Sequence, residues 1–135
     1  MADQSITITL PFPKSKLNPN QSKGRHWGST RKDRKQARAD AYWLSMEAFS
    51  GHRRNGGKLP AKTAESIGLS IAFVQPDRCK RDRDNLFASL KHGLDGIADA
   101  LGIDDSKFEP IVLLPREYGN APGAVRVTIN YIAES

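Results

Sequence analysis

Between residues 67 and 101 the apolar residues change their period once, and that switch restricts the chain more than any other feature. Ile67, Leu69, Ile71 and Phe73 occupy every second position, with small residues between them, before Pro76. From Asn85 onward Leu86, Leu90, Leu94, Ile97 and Leu101 recur at steps of three and four, and Gly102 follows. Alternation marks a strand; the longer step marks an amphipathic helix. The segment therefore predicts a buried strand, a turn over 76–84 and a helix of about 17 residues that stops at Gly102 as its C-cap. Gly93 and Gly96 weaken that helix by roughly 1 kcal/mol each relative to Ala, a cost that close packing against a neighbour would explain.

The rest of the chain fits around this unit. Ile6, Ile8 and Leu10 alternate with Thr7 and Thr9, a half-buried strand ended by Pro11 and Pro13. Residues 14–29 have turn residues and cations without periodicity and are read as a loop. Ala37, Ala41, Leu44 and Ala48 predict a helix over 30–49, with Thr30 and Asp33 as its capping box. Residues 51–62 read as a flexible basic connection. Asp104 and Asp105 fall in a turn, Ile111–Leu114 make a short strand, and Val125, Val127, Ile129 and Tyr131 a last alternating one. The order β-α-β-α-β-β predicts an α+β (mixed α/β) fold, with a single sheet of about four strands and both main helices on it. With 135 residues, 1–135 is read as a single domain.

Several classes are excluded or disfavoured. No apolar run approaches the ~20 residues that span a bilayer. The single cysteine, Cys79, allows no internal disulfide and no multi-cysteine zinc cage, which suits a reducing cytoplasm. The opening MADQSITITLPFP lacks the pattern of a secretory signal, so a cytoplasmic location is expected. Charge is divided unevenly. Residues 14–62 hold 13 Lys/Arg against Asp33, Asp40 and Glu47, whereas residues 63–105 hold 5 Lys/Arg against 8 Asp/Glu. Solvated charge is the plain reading of the basic half. A polyanionic partner is the sharper one, because clustered cations release counterions when they neutralise phosphates. Candidate phosphate contacts are Lys14, Lys16, Lys23 and Arg25 in the loop, Arg31, Lys32 and Lys35 on the helix, and Lys80, Arg81 and Arg83 further on.

Those last three cations belong to KRDRDN, residues 80–85, at the rim where a strand gives way to a helix. In an extended stretch Asp82 and Asp84 point to one side and repel each other unless a cation lies between them. A divalent metal is one answer. Three carboxylates with waters make a Mg²⁺ site by type, and Asp104 or Asp105 is the nearest source of a third. Beside a basic surface the chemistry this suggests is phosphodiester hydrolysis, with a lysine to offset transition-state charge. The plain alternative has Asp82 capping a turn, Asp84 as the helix N-cap, and both paired with arginines. An EF-hand is excluded, because Phe87 and Gly93 stand where that loop needs Gly and Glu. Geometry is the difficulty: a helix of this length carries the chain some ~25 Å from the first acids. The later pair meets them only if residues 103–107 run back along the helix or the helix is shorter.

The stretch PDRCKRDRDNLFASLKHGLDGIADALGIDD resembles the signature of the RusA family of Holliday junction resolvases. It shares the Asp-x-Asp-Asn-Leu at a helix start, a helix lysine, an Asp-x-Leu that here reads Asp95-Gly96-Ile97, and an Asp-Asp pair before the next strand. ITLPFP also resembles the family's first strand. The resemblance implies a metal-dependent endodeoxyribonuclease that resolves four-way DNA junctions in recombination and repair. It further implies a homodimer, Mg²⁺ or Mn²⁺ as cofactor, and a bacterial setting, in the host cell or a prophage. Asp82, Asp84 and Asp105 match the metal-binding carboxylates, and Lys91 matches the catalytic lysine by its spacing to Asp95. That lysine stands seven residues after Asp84 instead of four, with Lys80 as the substitute. Two other readings stand beside this one. Pro76-Asp77 with Asp105-Ser106-Lys107 mimics a second nuclease superfamily, although in a turn rather than on a strand. A non-catalytic basic nucleic-acid-binding domain needs the aspartates only as caps. Trp27, Tyr42 and Trp43 are read as core packing, with Trp27 or Phe12 as stacking groups in the alternative. His26, His52 and His92 are assigned no role.

Overall fold

The computed structural model describes residues 2–13 and 28–133. Lys14, Lys16, Lys23, Arg25, His26 and Trp27 lie outside the described residues. Strand β1 (Ala2–Leu10) leads to helix α1 (Gly28–Arg54), then β2 (Ile67–Gln75) and helix α2 (Arg83–Leu101). A 3-10 turn at Asp105–Lys107 precedes β3 (Phe108–Leu113), the two-residue β4 (Glu117–Tyr118) and β5 (Ala124–Ala133). The α+β class expected from the periods is the one found. The sheet has five strands rather than four, because β4 is too short to leave a pattern in sequence.

The strands lie in the order β1-β5-β2-β3, with β4 also on β2. β5 runs antiparallel to both β1 and β2, whereas β3 and β4 run parallel to β2. Parallel neighbours need a crossover, and α2 supplies it. Ile6, Ile8 and Leu10 of β1, the alternate residues Ile67–Phe73 of β2, and Val125–Tyr131 of β5 are buried against Ala41 and Phe49 of α1 and Leu86–Leu101 of α2. The opposite face is small and polar. There the Thr7 and Thr128 hydroxyls are 3.0 Å apart, and Asn130 Nδ2 donates to Ser70 Oγ at 3.3 Å.

The helices meet closely because Gly96 has no side chain. A Cβ there would lie 2.2 Å from the Arg38 carbonyl oxygen and 2.8 Å from Ala41 Cβ. Gly102 ends α2 in the left-handed region (φ 71°), donating its N–H to the Ala98 and Asp99 carbonyls, as its C-cap position predicts. α1 departs further from expectation. It begins at Gly28, so Thr30 is inside the helix and is not its N-cap, and it continues to Arg54 through residues read as a loop. The connection after it is anchored rather than loose. Tyr131 Oη donates to the Lys58 carbonyl at 2.5 Å, and Lys58 N–H donates to Gln4 Oε1 at 3.1 Å. His52 Nε2 lies 2.7 Å from that same Gln4 oxygen. Trp43, expected in the core, is 68% exposed, because it falls on the face of α1 that turns away from α2 and the sheet.

Candidate functional site

The loop that leaves β2 is held from four sides. Gln75, the last residue of the strand, is fully buried, and its Nε2 donates to the carbonyls of Cys79 (3.1 Å) and Asp77 (3.5 Å). Arg116, just before β4, donates to Gln75 Oε1 at 3.4 Å and to the Arg81 carbonyl. Asp77 accepts from the Cys79 N–H at 2.9 Å and from the Arg81 guanidinium at 2.7 Å. The Arg81 hydrogen bond first, then the Cys79 one, lower the Asp77 pKa to about 2. Two aromatic rings complete the frame: Arg78 lies 4.8 Å over Tyr118, and Arg81 5.3 Å over Phe12.

This frame delivers Asp82 to the N-cap of α2. Its backbone is extended (φ −74°, ψ 128°), and its carboxylate accepts from the Asp84 N–H at 2.9 Å. The first N–H groups of a helix have no partner within it, so a side-chain oxygen there satisfies one of them. The expectation of two carboxylates side by side on an extended stretch is thereby corrected, and so is that of Asp84 as the N-cap. Asp84 is already in the first turn. Both carboxylates are exposed, as are Lys80 and Arg83. Lys91, exposed on α2, lies seven residues on, within about 20° of Asp84 around the helix and some ~10 Å along it.

Asp105 lies elsewhere. β2 and β3 are parallel, so the chain leaves β2 at one end of the sheet and enters β3 at the other. α2 spans that distance with 19 residues, about 28 Å, and the turn after it brings Asp105 back only as far as Asp95, eleven residues short of Asp84. Within one chain the expected convergence of Asp82, Asp84 and Asp105 does not occur. Among the described residues no three His, Cys, Asp or Glu side chains are grouped so as to hold a metal. A Mg²⁺ site built from these three acids therefore does not fit a single copy. The same separation divides Pro76-Asp77 from Asp105-Ser106-Lys107.

Asp105 has its own acidic company. A hydrogen bond with Asp104 first, then burial and a hydrogen bond with Asp95, hold its carboxyl above the usual carboxylate range. Asp104 is lowered, first by the Ser106 N–H, which donates to it at 3.0 Å, and then by Asp105. Asp95 falls on the same stripe of α2 as Asp84 and Lys91, eleven and four residues from them. The polar line therefore continues from one acid group toward the other.

Of the expected phosphate contacts, Arg31, Lys32 and Lys35 are exposed on the first turns of α1 and share a shallow depression. Asp33 and Gln36 of the same turns face Phe12, beside the loop that leads to Asp82. Phe12 and Pro13 line one cavity of about 110 Å³ with Asp33 and Gln36 of α1, and Phe12 also lies under Arg81. Arg81 itself is engaged with Asp77. Sequence reading missed Gln75, Arg116 and the Asp95–Asp105 contact. None carries a signal in sequence: Asp105 stands in the turn beyond the Gly102 cap, and a strand-end glutamine is some forty residues from its arginine.

No protein-family model matches the chain. It is 39% identical over 131 residues to a Xylella fastidiosa (strain Temecula1) protein described as uncharacterized, covering 97% of this chain and 80% of that protein. A solved thiamine-monophosphate kinase from Stenotrophomonas maltophilia aligns with 95% of this chain at 15% identity and a TM-score of 0.34. The chain spans 30% of that protein, and the likeness carries no argument. Among the described residues no helix is long and apolar enough to cross a membrane.

Proposed function

Because the chain belongs to one family with that Xylella fastidiosa protein, which it matches over nearly its whole length, we propose one reading for all of it: a metal-dependent endonuclease of the RusA kind. Its substrate is branched DNA with four-way junctions, its cofactor Mg²⁺ or Mn²⁺, and its setting a bacterial cell. One observation carries the reading. Asp82 and Asp84 stand exposed at the start of α2, at the same end of the sheet as the cationic first turns of α1. Carboxylates suited to a hard cation next to groups that attract phosphate are what hydrolysis of a phosphodiester requires.

A single copy lacks the third acid at that end, so the reading requires a homodimer. Of the two edge strands, β1 and β3, it is β3 on which a second copy pairs. β3 has β2 on one side, and Ile111 and Val112, on its two faces, are 38% and 46% exposed. Such an edge is a template for another strand. Antiparallel pairing of two β3 strands brings the Asp105 end of each copy to the Asp82 end of the other. Lys91 is then the cation of the stripe between them.

The test is incubation of the purified protein with a labelled synthetic four-way junction and Mg²⁺ or Mn²⁺. Wild type is expected to cut, and Asp82→Asn to abolish cutting while binding persists or tightens, because an anion facing phosphate is lost. A wild type that binds the junction and never cuts establishes the second reading, a non-catalytic basic nucleic-acid-binding module. That reading is favoured because, among the described residues of one chain, no three His, Cys, Asp or Glu side chains are placed to hold a metal ion.

A further inference from the structure

The most constrained polar group in the described chain is Gln75, and nothing in the nuclease reading uses it. It has no exposed surface, although a glutamine is ordinarily left in water. Its side-chain hydrogen bonds all go to the loop ahead of α2 or to Arg116, which also holds that loop. Its Nε2 is shared by the Asp77 and Cys79 carbonyls, while its Oε1 receives Arg116, whose Nη1 also reaches the Arg81 carbonyl. Carbonyls 77, 79 and 81 thus face one pair, the buried Gln75 amide and the half-buried Arg116 guanidinium. On the loop's outer side Asp77 ties the Cys79 N–H and the Arg81 guanidinium. Gly119 N–H donates to the Gln75 carbonyl at 2.8 Å, which fixes the strand that follows Arg116 to the same point.

We propose that Gln75 and Arg116 are positioning residues that set the direction of the Asp82 and Asp84 carboxylates through the backbone of residues 77–81. The inference rests on the proposed role of those aspartates, but its physical content is independent of cleavage. The seven residues 76–82 between β2 and α2 have many conformations open to them, and each carries Asp82 to a different place. Pinning three alternate carbonyls to buried donors selects one of them. A site that must hold an ion or a phosphate needs such a support beneath the groups that touch it. The positive charge of Arg116, half-buried beneath the loop, also accounts for its being an arginine. Its length carries one nitrogen, Nη1, from just ahead of β4 to both Gln75 Oε1 and the Arg81 carbonyl.

The experiment compares Gln75→Met, Arg116→Met and Arg116→Lys with wild type by site-resolved amide hydrogen exchange, alongside Mn²⁺ binding by calorimetry. The expected result is at least tenfold faster exchange at the Cys79 and Asp84 amides in both Met variants, with amides of β5 unchanged. Arg116→Lys, which keeps one of the two bonds, is expected between wild type and Arg116→Met. Mn²⁺ affinity is expected to fall at least fivefold in the Met variants. Unchanged exchange at Cys79 and Asp84 in a folded variant overturns the inference. If Gln75→Met does not fold, Arg116→Met decides alone, since its side chain is only half-buried. A wild type that binds no Mn²⁺ counts against the nuclease reading, and the exchange result then judges the positioning role separately.

Discussion

Asp77 and Asp105 are both exposed carboxylates in turns, yet their protons respond in opposite directions because their neighbours differ. Asp77 faces Arg81 and the Cys79 N–H, and its pKa is lowered from 3.8 to about 2. A depressed folded pKa stabilises the fold above the unfolded value. That contribution persists at neutral pH and is lost as pH falls from about 4 through about 2. Asp77→Asn should therefore speed amide exchange at Cys79 near neutrality and remove the acid dependence of that exchange between pH 4 and 2. Asp105 is raised, foremost through Asp104, so its effect has the reverse sign: it favours the fold at low pH and fades as the carboxyl ionises. These pairings were only partly legible in sequence. The i,i+4 spacing of Asp77 and Arg81 was visible, but their bond also depends on the turn that Gln75 holds from inside.

The elements show more plainly what a sequence discloses. α2 was readable because one face is apolar at helical steps and Gly102 supplies an unambiguous stop. α1 was readable in its middle and misread at its ends. Its basic residues continue past the last apolar step, and a solvated helical turn has no apolar period to betray it. Gly96 could be suspected of close packing, and the reason is that a Cβ there would lie 2.2 Å from the Arg38 carbonyl oxygen. Gly96→Ala gains helix propensity but must push α1 away. We expect a net loss of about 1–3 kcal/mol, read as a lower denaturation midpoint. Gly93, where the nearest atom is the flexible Leu10 Cδ1 at 3.2 Å, should tolerate alanine better. The bidentate Arg38–Asp99 pair adds little to this junction, because both side chains are largely in water.

At the scale of the molecule, the fold class followed from the order of periods, whereas the location of the acids did not. Spacing along the chain placed Asp105 after the helix, but only the parallel pairing of β2 and β3 puts it at the far end of the sheet. The separation is itself testable through the proposed dimer. Asp82→Asn and Asp105→Asn should each be inactive alone. Mixed and allowed to exchange subunits, they should recover nicking at about a quarter of the wild-type site concentration, because half the dimers are mixed and each has one intact site. Failure of the mixture to recover, with dimers present, would show that the acids do not act across copies.

The tight crossing at Gly96 has a mechanical corollary. Where two helices touch backbone to backbone there is no layer of side chains to shear, so α1 and α2 form one stiff lever. Under the proposed reading, a load on the cationic first turns of α1 would reach the helix that carries the aspartates through this contact.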